Sequence, residues 1–254
     1  MVFILSKTKF KIDKMYIKFF LKRTMQKKNQ FSKYAKEYQS YNIIQQICAK
    51  SLIRELKSKP KNILELGCGS GQVFSNISWD FDRYLAIDGS KQMCNLHPKA
   101  KNLELKSLNF DSQEFIDYTK NQNFDIVLSS SALQWSADLE KLVEHLSKIT
   151  KEINAVLFTS NTFKTIQNIS KNRSPILDEN SIKKAFNKYF ICEFETINYK
   201  LEFDNKKELF DYIKKSGVSG SSELSYESAK RLYKEYNLNY LEFEVIFVKT
   251  LSKI

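Results

Sequence analysis

The chain has 254 residues, 42% of them hydrophobic and 13% aromatic, and carries a formal net charge of +12. That is enough length and apolar content for one domain with a large core, and no apolar run approaches the ~18 residues that a membrane span needs. Cys48, Cys68, Cys94 and Cys192 lie far apart, with no C-x-x-C pair and no histidine cluster. This speaks against a zinc site or a disulfide framework and for a reducing cytoplasm.

The charge is unevenly spread. Lys7, Lys9, Lys11, Lys14, Lys18, Lys22 and Arg23 face only Asp13, which leaves residues 1–24 with a charge of +6. Phe3, Ile4, Leu5, Phe19, Phe20 and Leu21 are scattered among these lysines, without an uninterrupted apolar region or a small-residue cleavage site, so the segment is a poor secretory signal. We expect this leader to pack poorly, as a basic arm or as an over-long gene start ahead of Met25.

From Phe31 the pattern turns helical. Aromatic and apolar residues at 31, 34, 35, 38 and 41–44 continue through Ile47, Ala49, Leu52, Ile53 and Leu56, and Pro60 ends the run. Ile63, Leu64 and Leu66, interrupted by Glu65, then read as a buried parallel strand. Gly67, Gly69 and Gly71 follow at alternate positions in a chain with only six glycines. Such a turn lets the backbone approach a ligand that a Cβ would block. The next apolar strand, Arg83–Asp88, ends in a carboxylate about 20 residues beyond the glycines, the spacing at which an acid reaches the two hydroxyls of a ribose. The glycine spacing is neither that of a dinucleotide fingerprint nor that of a phosphate loop. Glu65 ahead of the turn suits a ligand with an ammonium and a sulfonium charge better than a pyrophosphate. Cys68, between the glycines, reads as a small filler.

Leu103–Leu108 is the third predicted strand, leading into Asn109-Phe110-Asp111. Phe124–Leu128 is the fourth, and Ser129–Ser131 leave its carboxyl end, where open α/β sheets bind ligands. Leu142, Val143, Leu146 and Ile149 give a helical face, and Ala155–Phe158 a fifth strand. Ser160–Ser174 reads as an irregular link with a short helix, Ser181–Tyr189 as a helix and Phe190–Phe203 as a long strand. Helices over Lys206–Gly217 and Tyr226–Tyr236 precede the last strand, Leu241–Val248. His97, before Pro98, and His145, on a helix, read as solvated side chains. Neither has a partner at a catalytic spacing, and no carboxylate pair presents itself for acid–base work.

Glu65-Leu-Gly-Cys-Gly-Ser-Gly71 resembles the first motif of the class I S-adenosylmethionine-dependent methyltransferases, E/D-x-G-x-G-x-G. Ser90–Leu96 is similar to the family's D-x-S-x-x-M-L segment. The resemblance covers residues 31–248. It implies a Rossmann-like fold: a mostly parallel seven-stranded sheet with helices on both faces and a helical lid insertion before the last strand. The domain would span 25–254, with lid elements at 31–45 and 206–237. It implies S-adenosylmethionine as cofactor, S-adenosylhomocysteine as product, and Glu65, Gly67, Cys68, Gly69, Gly71, Asp88, Gly89, Met93, Asn109, Asp111, Ser129 and Leu133 as its binding residues. Either Asn109 or Asp111 would meet the adenine amino group. No catalytic side chain and no metal are implied.

Within that family two segments narrow the resemblance. Phe31, Ala35, Tyr38 and Gln45, spaced Phe-x3-Ala-x2-Tyr-x6-Gln, and Ala132-Leu133-Gln134-Trp135 resemble the malonyl-acyl-carrier-protein O-methyltransferases of biotin synthesis. The second segment also resembles the trans-aconitate methyltransferases. Where the family has a Pro-Gly-Gly turn before the fifth strand, this chain has Lys151-Glu152-Ile153-Asn154. The resemblance implies a cytoplasmic, monomeric carboxyl O-methyltransferase acting on malonyl carried by acyl carrier protein or coenzyme A, with Tyr38, Gln134 and Trp135 as acceptor-pocket candidates. The alternatives are a small free acid of the trans-aconitate type and a nucleic-acid-associated binding protein of methyltransferase-like fold. Ser-Ser-Ser-Ala stands where base-methylating enzymes often carry an N/D-P-P-Y/F motif, so neither a nucleic-acid nor a membrane partner is expected.

Overall fold

The computed structural model describes residues 2–5, 42–215 and 226–254. The strands are β1 (Val2–Leu5), β2 (Asn62–Leu66), β3 (Arg83–Asp88), β4 (Leu103–Ser107), β5 (Ile126–Ser130), β6 (Ile153–Phe158), β7 (Phe190–Glu202) and β8 (Tyr240–Lys253). They form one sheet in the order β1-β7-β8-β6-β5-β2-β3-β4. Strands β2 to β6 run parallel to one another, and β8 enters antiparallel between β6 and β7. The order reverses at β2, whose neighbours are β3 on one side and β5 on the other, and ligands of open α/β sheets bind at such a switch point. Seven of these strands are those the sequence predicts. The eighth is a correction to the expectation for the leader: Val2–Leu5 pairs parallel with Asn198–Leu201. A β7 edge presents unpaired N–H and C=O groups that another strand satisfies. The rest of the leader and the lid segment up to residue 41, Tyr38 included, lie outside the described residues.

Helices cover both faces. Helix α1 (Ile43–Arg54) lies on the face that buries Ile63, Tyr84, Ala86, Ile126 and Leu128, together with the packed aromatics Phe158, Phe203, Tyr212 and Phe243. The opposite face buries Leu64, Leu66, Leu85, Ile87 and Val127 beneath α3 (Gln113–Thr119), α4 (Leu139–Ile149) and α6 (Glu179–Asn187). This alternation is the period-2 rule of a strand covered on both sides. Helix α4 buries Leu139, Leu142, Val143, Leu146 and Ile149, and the Asp138 carboxylate accepts from the Lys141 N–H at its start. The short α2 (Lys91–Cys94) and α5 (Lys164–Ser170) connect strands, and α7 (Lys206–Lys215) and α8 (Tyr226–Glu235) form the insertion before β8.

Two local outcomes were hidden in the sequence. After the glycine turn the chain makes only a 3-10 turn, Phe74–Asn76. Ser75 Oγ donates to Gly71 O at 2.7 Å and Asn76 Nδ2 to Gln72 O at 2.7 Å, and side chains that bind back four residues compete with a regular helix. Before β6, Thr150 takes the place of the missing glycines. Its Oγ1 lies 3.0 Å from Phe124 O and 3.1 Å from Glu152 O, and it accepts from the Glu152 N–H at 3.3 Å.

The expectation that both histidines are solvated is wrong. His145 is buried; its Nε2 is 2.7 Å from Thr119 Oγ1 and its ring meets Phe115 edge-on at 5.5 Å. Thr119 Oγ1 donates to Phe115 O at 2.7 Å, so it accepts from the His145 Nε2–H. Helix α3, packed beside α4, thus covers a residue that flanks the apolar stripe of α4. Thr119→Val keeps the shape but strands that N–H, and the chain should lose about 1–3 kcal/mol of stability in urea unfolding.

Candidate active site

The carboxyl ends of β2, β3, β4 and β5 bring the predicted residues to one edge of the sheet. All three turn glycines have left-handed backbones: φ is 71° at Gly67, 53° at Gly69 and 85° at Gly71. The reasons differ. A Cβ on Gly67 would sit 2.0 Å from Ala132 Cβ, and one on Gly71 would sit 2.5 Å from Pro98 Cδ. A Cβ on Gly69 would meet only Met93 Cε, at 3.4 Å. Gly67 and Gly71 are therefore required by the protein's own packing, and Gly69 by its backbone and by whatever approaches it.

A clasp fixes the turn to β3. The Gly69 N–H donates to Asp88 Oδ2 at 2.9 Å and the Ser90 N–H to Asp88 Oδ1 at 2.7 Å. Ile87 O accepts from both the Gly67 N–H, at 2.7 Å, and the Cys68 N–H, at 3.0 Å. Burial raises the Asp88 carboxyl above its usual range, and the two N–H donors oppose that shift. Each oxygen keeps lone-pair capacity for a further donor. Gly89 beside it is exposed, with nothing within 4 Å of a Cβ position.

Glu65 is buried on the α1 face and accepts from the Tyr84 hydroxyl at 2.6 Å. No cation forms a salt bridge with it among the described residues. Burial pushes its carboxyl up to about 8, with the Tyr84 bond opposing and the Asp88 charge adding. The acid is therefore neutral in the free protein at pH 7.

On β4's side the structure separates Asn109 from Asp111. Asp111 accepts from Ser136 Oγ at 2.6 Å and from the Ala137 N–H at 2.9 Å, so both its oxygens hold the loop after β5. Asn109 Oδ1 accepts only the local Asp111 N–H, at 3.1 Å. Ser129 is buried and spends its hydroxyl on Leu66 O at 2.8 Å. Leu133 is fully buried in the core, and Met93 is buried beneath the turn. Gln134 Nε2 donates to Ser131 O at 2.7 Å, while Trp135 is half-buried against the α1-side core.

Several residues here carry no sequence signal of their own. Ser131 adopts φ 60°, left-handed for a residue with a Cβ, while its N–H pairs with Val156 O at 2.7 Å. Strain of this kind clusters at functional sites. Buried polar atoms without a protein partner gather at these strand ends: Ser70 Oγ, Ser130 Oγ, Ser131 Oγ and Gln134 Oε1. His97, also buried, is held by a contact of 2.8 Å from Nδ1 to Pro98 O, and its Nε2 has no partner. The serine run after β5 was visible as a strand end, but which hydroxyl stays unpaired depends on the neighbouring strands. Glycines that keep the backbone bare, an acid placed for vicinal hydroxyls and unpartnered buried hydroxyls fit a ligand combining a nucleoside with an amino-acid tail.

Comparisons with known proteins agree with this geometry. The YcgJ protein of Bacillus subtilis has the same fold, with a TM-score of 0.60 and 13% identity over 81% of this chain and 98% of that one. Residues 64–157 match the family described as "Methyltransferase domain". The fold is that of the class I S-adenosylmethionine-dependent methyltransferases, and the matched segment is a methyltransferase domain. Among its relatives, it is 26% identical over 228 residues to the malonyl-acyl-carrier-protein O-methyltransferase of Bacillus cereus, covering 80% of this chain and 84% of that protein. It is 28% identical over 242 residues to malonyl-acyl-carrier-protein O-methyltransferase 2 of Ilyobacter polytropus, covering 86% and 91%. No helix among the described residues is long and apolar enough to cross a membrane.

Gly67→Ala forces a clash and should cost about 2 kcal/mol or more in urea unfolding. Gly69→Val should leave the domain folded and abolish S-adenosylhomocysteine binding in calorimetry. For Glu65 the folded value lies above the unfolded one, so its stability contribution is complete below about pH 4.5 and is lost as pH rises through about 8. Between those limits the loss runs at about 1.4 kcal/mol per pH unit. Glu65→Gln should therefore be more stable than the parent at pH 8, by a margin that closes towards pH 4.5, in unfolding curves measured without cofactor.

Proposed function

We propose that this chain methylates the free carboxylate of malonyl carried on acyl carrier protein or coenzyme A, an early step of biotin (pimeloyl) synthesis in the cytoplasm, as a monomer. What carries the reading is similarity to proteins of that name across four fifths or more of the chain and of each relative. The chemistry of the site supports it. A carboxylate acceptor is already ionised at pH 7, so no base is required. The described titratable groups at this edge have protein contacts of their own: Asp88 holds the glycine turn, Asp111 the loop at 136–137, Glu65 accepts from Tyr84, and His97 contacts Pro98 O through Nδ1.

When bound, S-adenosylmethionine supplies a methyl group on a sulfonium leaving group. The chain's part is to bind, align and exclude water. Gly67, Cys68, Gly69 and Gly71 would line the backbone approach, and Asp88 would accept from the ribose hydroxyls. Asn109 would face the adenine amino group, with Asp111 holding the loop at 136–137. Glu65 would ionise against the ammonium and keep its Tyr84 bond. Ser130, Ser131 and Gln134 leave buried polar atoms for the amino-acid tail and the acceptor. Tyr38 and Trp135 are the remaining acceptor-pocket candidates. On α7, Lys206, Lys207, Lys214 and Lys215 give the insertion a basic stretch for an acidic carrier, acting on encounter rate more than on affinity.

A methyl-transfer assay with malonyl-acyl carrier protein, malonyl-coenzyme A and trans-aconitate tests the reading. Both malonyl thioesters should turn over at least tenfold more efficiently than the free acid; preference for trans-aconitate would overturn it. Reversing the four lysine charges should raise KM for the carrier-bound substrate only, and less so as salt rises.

A further inference from the structure

The folded chain joins two basic segments that are well separated in sequence. Helix α8 packs against α5, and Ile166 and Ile169 of α5 share one apolar cluster with Leu232 and Tyr236. Helix α5 follows the carboxyl end of β6, so the pair stands at the same edge of the sheet as the glycine turn. Residues 159–177, which include α5, hold Lys164, Lys171 and Arg173 and no acid. Helix α8 adds Lys230, Arg231 and Lys234 against Glu227 and Glu235. Arg231 is half-buried and the other five cations are exposed, and none of the six forms a salt bridge among the described residues. On other helices the exposed lysines do find acids: Lys120 pairs with Asp117, Lys148 with Glu144 and Lys188 with Glu140.

Tyr233 stands on this surface and is 58% exposed. Lys230, Tyr233 and Lys234, at i, i+3 and i+4, share one face of α8. The Tyr233 ring rests against Phe210 of α7, with centroids 5.8 Å apart. Lys206 Nζ lies 6.0 Å from its centre and donates to Tyr233 O at 3.4 Å. A ring braced in this way has little freedom left to lose when a partner covers it, and tyrosine is among the residues that concentrate binding energy at protein interfaces.

We propose that the α5–α8 pair is the docking surface for an acidic carrier protein, with Tyr233 as its short-range anchor and the unpaired cations as the field that draws the carrier in. The proposal deepens the malonyl-carrier reading and rests on it. Charge complementarity selects the partner, and place supports it: a carrier that delivers a tethered malonyl group must dock at the edge of the sheet where the site opens. Nucleic acid fits this surface less well. Glu227 and Glu235 stand among the cations of α8 and would repel a phosphate backbone, whereas a protein can meet them with basic side chains. One exposed aromatic ring also offers no run of platforms on which successive bases stack. Opposed charges speed encounter and are screened by salt, while a covered aromatic contact slows release. Malonyl-coenzyme A presents the same acyl group without a protein surface, so its turnover does not draw on Tyr233.

The test uses the full chain in two measurements: steady-state methyl transfer to malonyl-acyl carrier protein and to malonyl-coenzyme A, and binding of fluorescently labelled acyl carrier protein by anisotropy. Tyr233→Ala should raise KM for the carrier-bound substrate, and Kd for the carrier, at least tenfold. Its kcat and its kinetics with malonyl-coenzyme A should match the parent, and Tyr233→Phe, which keeps the ring, should restore carrier affinity. Combining Lys171→Glu, Arg173→Glu, Lys230→Glu and Lys234→Glu should flatten the salt dependence of kcat/KM for the carrier-bound substrate. Parent-like carrier binding in Tyr233→Ala, or an equal rise of KM on both substrates, overturns the docking surface. An RNA oligonucleotide that binds more tightly than the carrier at about 150 mM salt overturns the choice of partner. A parent chain that turns over neither malonyl thioester overturns the proposed function instead, and the anisotropy series still decides whether Tyr233 anchors an acidic carrier.

Discussion

Everything at the candidate site hangs on a backbone with no room for side chains. Gly67 is pressed against Ala132 from the loop after β5, and Gly71 against Pro98 and His97 from the segment after α2. Between them Gly69 is held by one hydrogen bond to Asp88. The turn after β2 is thereby fixed to β3 and β5 at once, across the point where strand order reverses. A Cβ at either outer glycine would push these elements apart, because cores are close-packed and yield only by shifting backbone.

The second organising feature is buried acidity without a partner cation. Asp88 is stabilised by N–H donors, whereas Glu65 has only Tyr84 and is driven towards its neutral form. An isolated buried charge costs far more than the hydrogen bond it gains, so the free protein keeps Glu65 protonated. A cationic ligand alters that balance by supplying the missing charge. The free site is in this sense built for a ligand the protein alone does not complete, and the unpartnered hydroxyls of Ser70, Ser130 and Ser131 belong to the same pattern.

Around this edge the fold replaces its usual turn devices with side chains. Thr150 closes the turn before β6 without glycine, and Ser75 and Asn76 hold the stretch after the cradle as a 3-10 turn. In each case a short polar side chain takes over bonds that the backbone would otherwise make. The far edge of the sheet, β4, is half-exposed and carries Glu104 and Lys106, with Arg83 reaching Glu104 from β3 at 3.1 Å. Charges of this kind discourage edge-to-edge pairing.

The sequence by itself determined the strands from β2 to β8, the glycine turn and the acid at the end of β3, because these rest on local signals: apolar periodicity, the conformational freedom of glycine, and spacing along the chain. Asn109 and Asp111 were equivalent at that level. Tertiary structure separated them, by bringing Ser136 and Ala137 within hydrogen-bond reach of Asp111. It also buried both histidines, gave Ser129 to Leu66 and left Ser130 unpaired. Each of these depends on contacts between residues far apart in the chain, and no pattern within a single segment specifies which neighbour a side chain will meet. The same holds for Val2–Leu5, whose place at the sheet edge was decided by the open flank of a strand almost 200 residues away.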